Sequence, residues 1–387
     1  MTDMSSPICI KKIQIVVYRV PIATPVRTSF GTMYDRPAVL LRLEDQDGAH
    51  GWGEAWCNFP SCGAEHRGRL LETVIAPHLL GVPFSSPQEA FAYLTRKVRV
   101  LALQTDEPGP LAQTVAAADI ALWDMFARKA GLPLHRMLGG TGDGAMPAYA
   151  SGINPTDTLE IMARSRAEGY RCFKFKVGFN HELDMRNLRD AAADLRHGEG
   201  LAVDANQAWD LPQALSMAAQ WEGAPLQWLE EPLRCDAHIS QWEMLRDNCP
   251  IPLAGGENIR DEEAFYRVIR RRALAVMQPD VCKWGGISAV LPVARAARAA
   301  GLRYCPHYLG GGIGLMASAH LLAAVGGDGL LEIDVNPNPL REALAQPYPA
   351  LRDGLFCLSE APGLGVEPDC AGLQSRITYS AVATEKQ

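Results

Sequence analysis

None of the ten cysteines falls in a CxxC pair, and the nearest two, Cys57 and Cys62, are too isolated for a zinc site. Scattered thiols of this kind suit a reduced, cytoplasmic protein. Blocks of basic residues are also missing: 37 lysines and arginines face 44 acidic residues, for a formal charge of −7. A nucleic-acid partner is therefore not expected. No apolar run approaches the length of a membrane span. The opening MTDMSSPICIKK lacks the charged-then-apolar layout of a secretory signal, so a membrane partner is not expected and the cytoplasm is the expected location. What remains is an ordinary globular balance, 48% hydrophobic and 21% charged over 387 residues. That length has room for one large domain and a smaller one.

The organisation changes near residue 140. KKIQIVVYRVPI and PAVLLRLEDQDGAHGWGEAW read as strands, with DQDG as a hairpin turn. Helical patterns follow, the last of them LAQTVAAADIALWDMFARKAG, which ends at Gly131 and Pro133. Residues 1–140 thus read as an α+β capping domain. From AMPAYAS onward, eight β-like runs alternate with amphipathic helices: CFKFKVG, GLAVDAN, LQWLEEP, IPLAGGEN, LAVMQPD, LRYCPHY and LLEIDVN complete the set. No clear helix closes the eighth unit, so the expected fold over 141–350 is an α/β (β/α)7β TIM-like barrel. Residues 351–387 read as a β-rich segment returning to the capping domain.

Within CFKFKVG, alternation along a strand sends Lys174 and Lys176 to one face, opposite Phe173, Phe175 and Val177. Two buried ammonium groups side by side require compensation. From Lys174 the successive polar residues Asp204, Glu230, Glu257, Asp280, His307 and Glu332 follow at intervals of 30, 26, 27, 23, 27 and 25 residues, one βα repeat each. All fall near the C-terminal ends of their strands, the face on which barrel active sites are built. Asp204, Glu230 and Glu257 would repel one another without a cation among them, and an all-oxygen set favours Mg2+, with Mn2+ as a possible substitute. A neighbouring cation and a second ammonium would lower the pKa of Lys176 enough for it to act as a base, leaving Lys174 charged against a substrate anion. Asp280, one repeat before His307, would hold one imidazole nitrogen and raise the basicity of the other. His78, His135 and His320 read as structural, Lys283 as a structural residue of a strand-to-helix turn, and Glu231 as a surface ion-pair residue beside Pro232.

These motifs together resemble the mandelate racemase subgroup of the enolase superfamily over nearly the whole chain. AADIALWDMFARKAGLPLHRMLGG is similar to the family's helix entering the barrel, FKFKVG to its KxK motif, and VDANQAW, LEEP and GGEN to its three metal-ligand strands. PDVCKWGG and CPHY resemble its His–Asp dyad, and LLEID its strand-eight glutamate. The choice of Glu230 over Glu231 rests partly on this resemblance. The resemblance implies Mg2+-dependent removal of the α-proton of a carboxylate substrate to give a metal-stabilised enolate, with a lysine or histidine base. Asp280 argues against the muconate-lactonizing and dipeptide-epimerase branches, in which lysine is expected at that position. Lys174 and a protonated Glu332 would donate to the developing charge. Ser151 and Asn206 are candidate substrate contacts, read equally well as strand-end caps. Dehydration of a sugar acid is favoured over racemisation of a 2-hydroxy acid or opening of a sugar-acid lactone, because the expected lid PIATPVRTSFGTMYDRP is polar, with Thr24, Arg27, Ser29, Tyr34, Asp35 and Arg36. The expected partners are a small carboxylate substrate and a second copy of the chain in a homo-oligomer. A Schiff-base aldolase would need no three carboxylates, and a non-catalytic sugar-acid binding protein would need no pair of bases.

Overall fold

The computed structural model describes residues 7–28 and 31–385. Strands β1 (Ile8–Thr28), β2 (Gly31–Asp45) and β3 (His50–Ala55) form an antiparallel sheet, and the short β4 (Pro83–Phe84) pairs with the start of β1. Their alternation is regular: Ile13, Ile15 and Val17 of β1 and Val39, Leu41 and Leu43 of β2 are fully buried. In the turn before β3, Asp45 Oδ1 accepts from the backbone N–H groups of Asp47 and Ala49, each at 2.9 Å. Helices α1 (Gly63–Leu70), α2 (Ala76–Leu79), α3 (Pro87–Thr105), α4 (Pro108–Ala130) and α5 (Leu134–Met137) complete this layer. Helix α4 is apolar almost all round and lies between the sheet and the barrel. A Cβ at Gly53 would collide with the carbonyl oxygen of Ala117, so only glycine lets β3 approach α4 this closely.

Eight parallel strands follow: β5 (Ala145–Ile153), β6 (Cys172–Lys176), β7 (Gly200–Asp204), β8 (Leu226–Glu230), β9 (Leu253–Gly255), β10 (Val276–Met277), β11 (Arg303–Tyr304) and β12 (Leu331–Asp334). Between them run α6 (Thr158–Ala167), α7 (His181–Asp194), α8 (Leu211–Gln220), α9 (Ile239–Asn248), α10 (Glu262–Arg271), α11 (Gly286–Ala299) and α12 (Gly312–Val325). Side chains cap several of them: Asn180 accepts from Leu183 N, Asp261 from Ala264 N, and Asp210 with Gln213 forms a reciprocal capping box. Strand β5 pairs with both β6 and β12, and β12 meets β11 where Leu330 N donates to Cys305 Sγ at 3.3 Å. After β12 the one α-helix among the described residues is the five-residue α13 (Pro339–Ala343), which makes the barrel (β/α)7β.

Tyr149, Cys172, Ala202, Trp228, Ala254, Val276, Cys305 and Leu330 pack as a buried cluster inside the ring, one residue from each successive strand or its edge. This apolar floor supports the polar layer above it. The chain then adds a hairpin, β13 (Leu351–Arg352) and β14 (Leu355–Cys357), to the side of β5, and ends with β15 (Ile377–Thr384) antiparallel to β1. No helix of the described residues is long and apolar enough to cross a membrane.

Glu367 joins the sheet, α4 and the C-terminal segment. It accepts from Trp52 Nε1 at 2.7 Å, Arg128 Nη1 at 2.5 Å and His50 Nε2 at 3.1 Å. Burial pushes its carboxyl up, but His50, Arg128 and Trp52 outweigh burial and bring it down to about 2. A depressed carboxyl stabilises the fold fully above its ordinary value of 4.5, and that share is lost as pH falls toward about 2. Glu367→Gln should therefore unfold at lower denaturant than wild type at neutral pH, with the gap closing as pH falls through this window. A gap independent of pH would refute the assignment.

Candidate active site

Alternation places Lys174 and Lys176 inward from β6, while Phe173 and Phe175 are fully buried on the other face. Lys174 is 2% exposed and sits 5.3 Å above the Tyr149 ring of the barrel floor. Its Nζ donates to both oxygens of Glu230, at 2.8 and 2.7 Å, and lies 2.7 Å from Glu332 Oε1. Burial opposes its charge, but Glu230 and Glu332 prevail and hold the ammonium well above its ordinary pKa. Lys176, at the end of the same strand, donates to Asn206 Oδ1 and lies 3.7 Å from Asp204.

The ends of β7 and β8 are in register, Asp204 beside Glu230. Glu230 faces inward with Trp228, whose indole N–H donates to it at 3.2 Å, and Gln278 Nε2 donates at 2.7 Å. Burial first, then the neighbouring Asp204 and Glu332 carboxylates, raise Glu230 to about 7 despite Lys174. Glu257, Asp280 and His307 stand two to three residues beyond their strands, in the loops of the mouth. His307 is 3% exposed, with Nδ1 2.7 Å from Asp280 Oδ2 and Nε2 in contact with Glu257. Burial disfavours its protonation, yet Glu257, Glu332 and Asp280 hold the imidazole well above its ordinary pKa. Asp280 is fixed in turn by the N–H groups of Cys282 at 2.8 Å and Lys283 at 3.1 Å.

Glu332 differs from the expected protonated donor. Ser151 Oγ donates to it at 2.5 Å and the Tyr308 N–H at 2.9 Å. Burial would raise its pKa, but Lys174 and His307 lower it below the ordinary value, so it stands as a carboxylate that accepts. Ser151 is accordingly turned onto Glu332. Asn206 bridges Asp204, to which its Nδ2 donates at 2.9 Å, and Lys176. Both candidate substrate contacts thus orient charged neighbours in this structure.

Two further expectations are corrected. Glu231 is 2% exposed and lies in the mouth, because its φ of +37° turns the chain after β8 back inward. Asn258 Nδ2 donates to both its oxygens, at 3.0 and 2.9 Å, and burial together with Glu257 and Asp204 pushes the Glu231 carboxyl well above its ordinary range. Lys283 also belongs to the mouth: its Nζ donates to Asn258 Oδ1 at 3.1 Å, lies 3.5 Å from Glu257 and sits 4.6 Å above the Trp56 ring. His135 and His320 do pair in the core, Nδ1 to Nδ1 at 3.3 Å, away from the mouth.

The capping layer supplies residues that strand spacing does not reveal. Buried Glu54 of β3 accepts from Gly311 N at 2.6 Å and Gly314 N at 2.9 Å, capping α12 from the other domain. In the segment expected to form a lid, β1 and β2 pair from Val26–Met33 to Thr28–Gly31. Tyr34 is 70% exposed, and Asp35 accepts from Arg19 Nη1 at 2.8 Å. Arg36 is buried, contacts Asp334 of β12 and donates to Pro337 O at 3.1 Å, so it fastens this stretch of β2 to the barrel. Ser29 and the side chain of Arg27 lie outside the described residues.

Among the described residues, no three His, Cys, Asp or Glu side chains are grouped as a bound ion would require. Lys176, Lys174 and His307 instead face Asp204, Glu230 and Glu257, one apiece. The donor chemistry nonetheless fits a hard divalent ion. It is all carboxylate, and Glu230 and Glu231 are raised first by burial and then by acidic neighbours, whose repulsion a cation would relieve.

Residues 11–139 match the family described as mandelate racemase/muconate lactonizing enzyme, N-terminal domain, and residues 157–372 the enolase C-terminal domain-like family. A crystal structure of a mandelate racemase/muconate lactonizing enzyme from Bordetella bronchiseptica RB50 superposes with a TM-score of 0.90 at 53% identity, covering 96% of this chain and 99% of that one. L-talarate/galactarate dehydratase from Salmonella typhimurium LT2, solved with Mg and L-lyxarohydroxamate, gives 0.87 at 26% identity, covering 100% and 97%. D-galactarolactone cycloisomerase from Agrobacterium fabrum is 28% identical over 86% of this chain and 90% of its own. The chain belongs to the mandelate racemase/muconate lactonizing enzyme subgroup of the enolase superfamily.

Proposed function

We propose that the protein dehydrates a sugar acid, removing the α-proton and expelling the β-hydroxyl. The observation that carries this reading is the placement of Lys176 and His307. Both are buried, at the end of β6 and just beyond β11, three strands apart through β12 and β5 and five the other way. They therefore face each other across the mouth, with the carboxylates of β7 and β8 between them on the longer arc.

In this scheme Lys176 takes the α-proton, and the C–H electrons move toward the substrate carboxylate. They return to form the carbon–carbon double bond as the β-hydroxyl leaves with a proton from His307, and the enol tautomerises to a 2-keto-3-deoxy acid. With the opposite α-configuration His307 is the nearer base. Lys174 lies deepest and remains charged, suited to a substrate carboxylate oxygen, while Asp280 holds the imidazole by Nδ1. Asp204, Glu230 and Glu257 would hold Mg2+, with Mn2+ as a possible substitute. When bound, the ion supplies positive charge against the second negative charge of the enolate. Similarity to D-galactarolactone cycloisomerase keeps a second reading, opening of a sugar-acid lactone by the same proton removal.

The test is incubation with a library of acid sugars and their lactones in deuterated water, followed by NMR. A 2-keto-3-deoxy acid carrying deuterium at carbon 3 is the expected product. Accumulation of α-deuterated acid in both configurations, without keto acid, would make the protein a racemase. Consumption of lactones alone would favour the second reading.

A further inference from the structure

A cavity of about 290 Å3 opens beside Glu257 and runs under the capping layer, its wall including Trp56, Arg67, Asp106, Arg260 and Lys283. Arg67, on α1, is 5% exposed. Its Nε donates to Gln113 Oε1 at 2.8 Å and its Nη1 to Gly63 O at 3.3 Å, both neutral acceptors. Among the described residues no carboxylate lies within ion-pair distance of it. Buried guanidinium groups are ordinarily matched by an anion, because neutral acceptors do not offset the loss of hydration. Lys283 and Arg260 add two cations to the same wall, against Asp106 on the exposed rim and Glu257 at the inner end. The volume lies at the lower limit for a separate ligand and suits the far end of one already held in the mouth.

We propose that this cavity receives a second carboxylate at the far end of the substrate, so that the substrate is a diacid. The inference rests on the mouth being where a substrate carboxylate binds, and it names the acid class within that reading. Arg67 is the specificity residue, a fixed fork suited to a planar carboxylate, and Arg260 guides the anion from the rim.

The experiment is designed to work without turnover. Succinate, glutarate and adipate lack a β-hydroxyl and cannot be dehydrated; their mono-acid counterparts are butyrate, pentanoate and hexanoate. Titration calorimetry in the presence of Mg2+ should show at least one diacid binding about 10-fold or more tighter than the mono-acid of equal length. Arg67→Met should remove that preference, Arg67→Lys should keep part of it, and Arg260→Met, at the exposed rim, should weaken it without threatening the fold. Equal binding of diacid and mono-acid by the wild type would overturn the inference, as would a preference unmoved in both Arg67→Met and Arg260→Met. Should no acid sugar be dehydrated while the diacid preference stands, dehydration fails and the diacid site does not.

Discussion

Replacing His307 by asparagine should lower dehydration by about 10²–10⁴-fold, the range typical for loss of a general acid or base. The residue is buried and held at 2.7 Å by Asp280, so its replacement removes a positioned proton carrier. Asp280→Asn should lose less, since the imidazole remains but its orientation and tautomer are disturbed. Lys176→Ala separates the two bases. It should stop deuterium exchange at the α-carbon for one configuration and leave exchange of the other, while His307→Asn shows the reverse preference. His307→Asn should also lose dehydration of an acid whose α-proton Lys176 still exchanges, because the leaving hydroxyl lacks its proton. Unchanged exchange and turnover in both variants would mean that the two groups do not flank the substrate.

Chelation of divalent ions should abolish activity, and added Mg2+ should restore it. The structural ground is the surplus of buried negative charge around Glu230 and Glu231, both raised by burial and by acidic neighbours. An ion entering there competes with Lys174 for Glu230 and with His307 for Glu257, so its net effect is readable without substrate. Mg2+ should raise the melting temperature of the wild type, by linkage of binding to folding, and have little effect on Asp204→Asn. Asp204→Asn should retain the fold, since its side-chain neighbours are Asn206 and Lys176 near the open end of the barrel. Full activity under excess chelator, or an equal Mg2+ shift in both proteins, would exclude these carboxylates as the ion's ligands.

Much of the architecture is legible in the chain because it follows from periodicity. Eight β-like runs at one-repeat spacing define a barrel, and the short prolyl stretch after LLEIDVN leaves room only for the five-residue α13. Inward projection of Lys174 and Lys176 follows from alternation, whereas the choice of Glu230 on β8 rests partly on the resemblance. The pairing of His307 with Asp280 is foreshadowed by their separation of one repeat.

Glu231 is the clearest case of what spacing misses. Alternation would turn it away from Glu230, but a positive φ just past β8 brings it into the mouth to meet Asn258. Lys283, in a turn, is drawn in by Glu257 and by Trp56 of the capping layer, a residue more than 200 positions away in the sequence. Protonation is equally a matter of surroundings. Glu332 reads from the sequence as a protonated donor, whereas in the structure Ser151 and Tyr308 donate to it and Lys174 lies 2.7 Å away.

The sequence by itself determined the barrel and the polar residues near its strand ends, because these are local periodicities repeated along one chain, and its motifs carried the resemblance to the family. Only the tertiary structure decided which carboxylate each cation meets, that Glu54 caps α12 across the domain boundary, and that Arg67 is buried beside a cavity with no carboxylate of the described residues within ion-pair distance. Those facts depend on loop dihedrals and on contacts between distant segments, which are set by packing rather than by any pattern within a strand or helix.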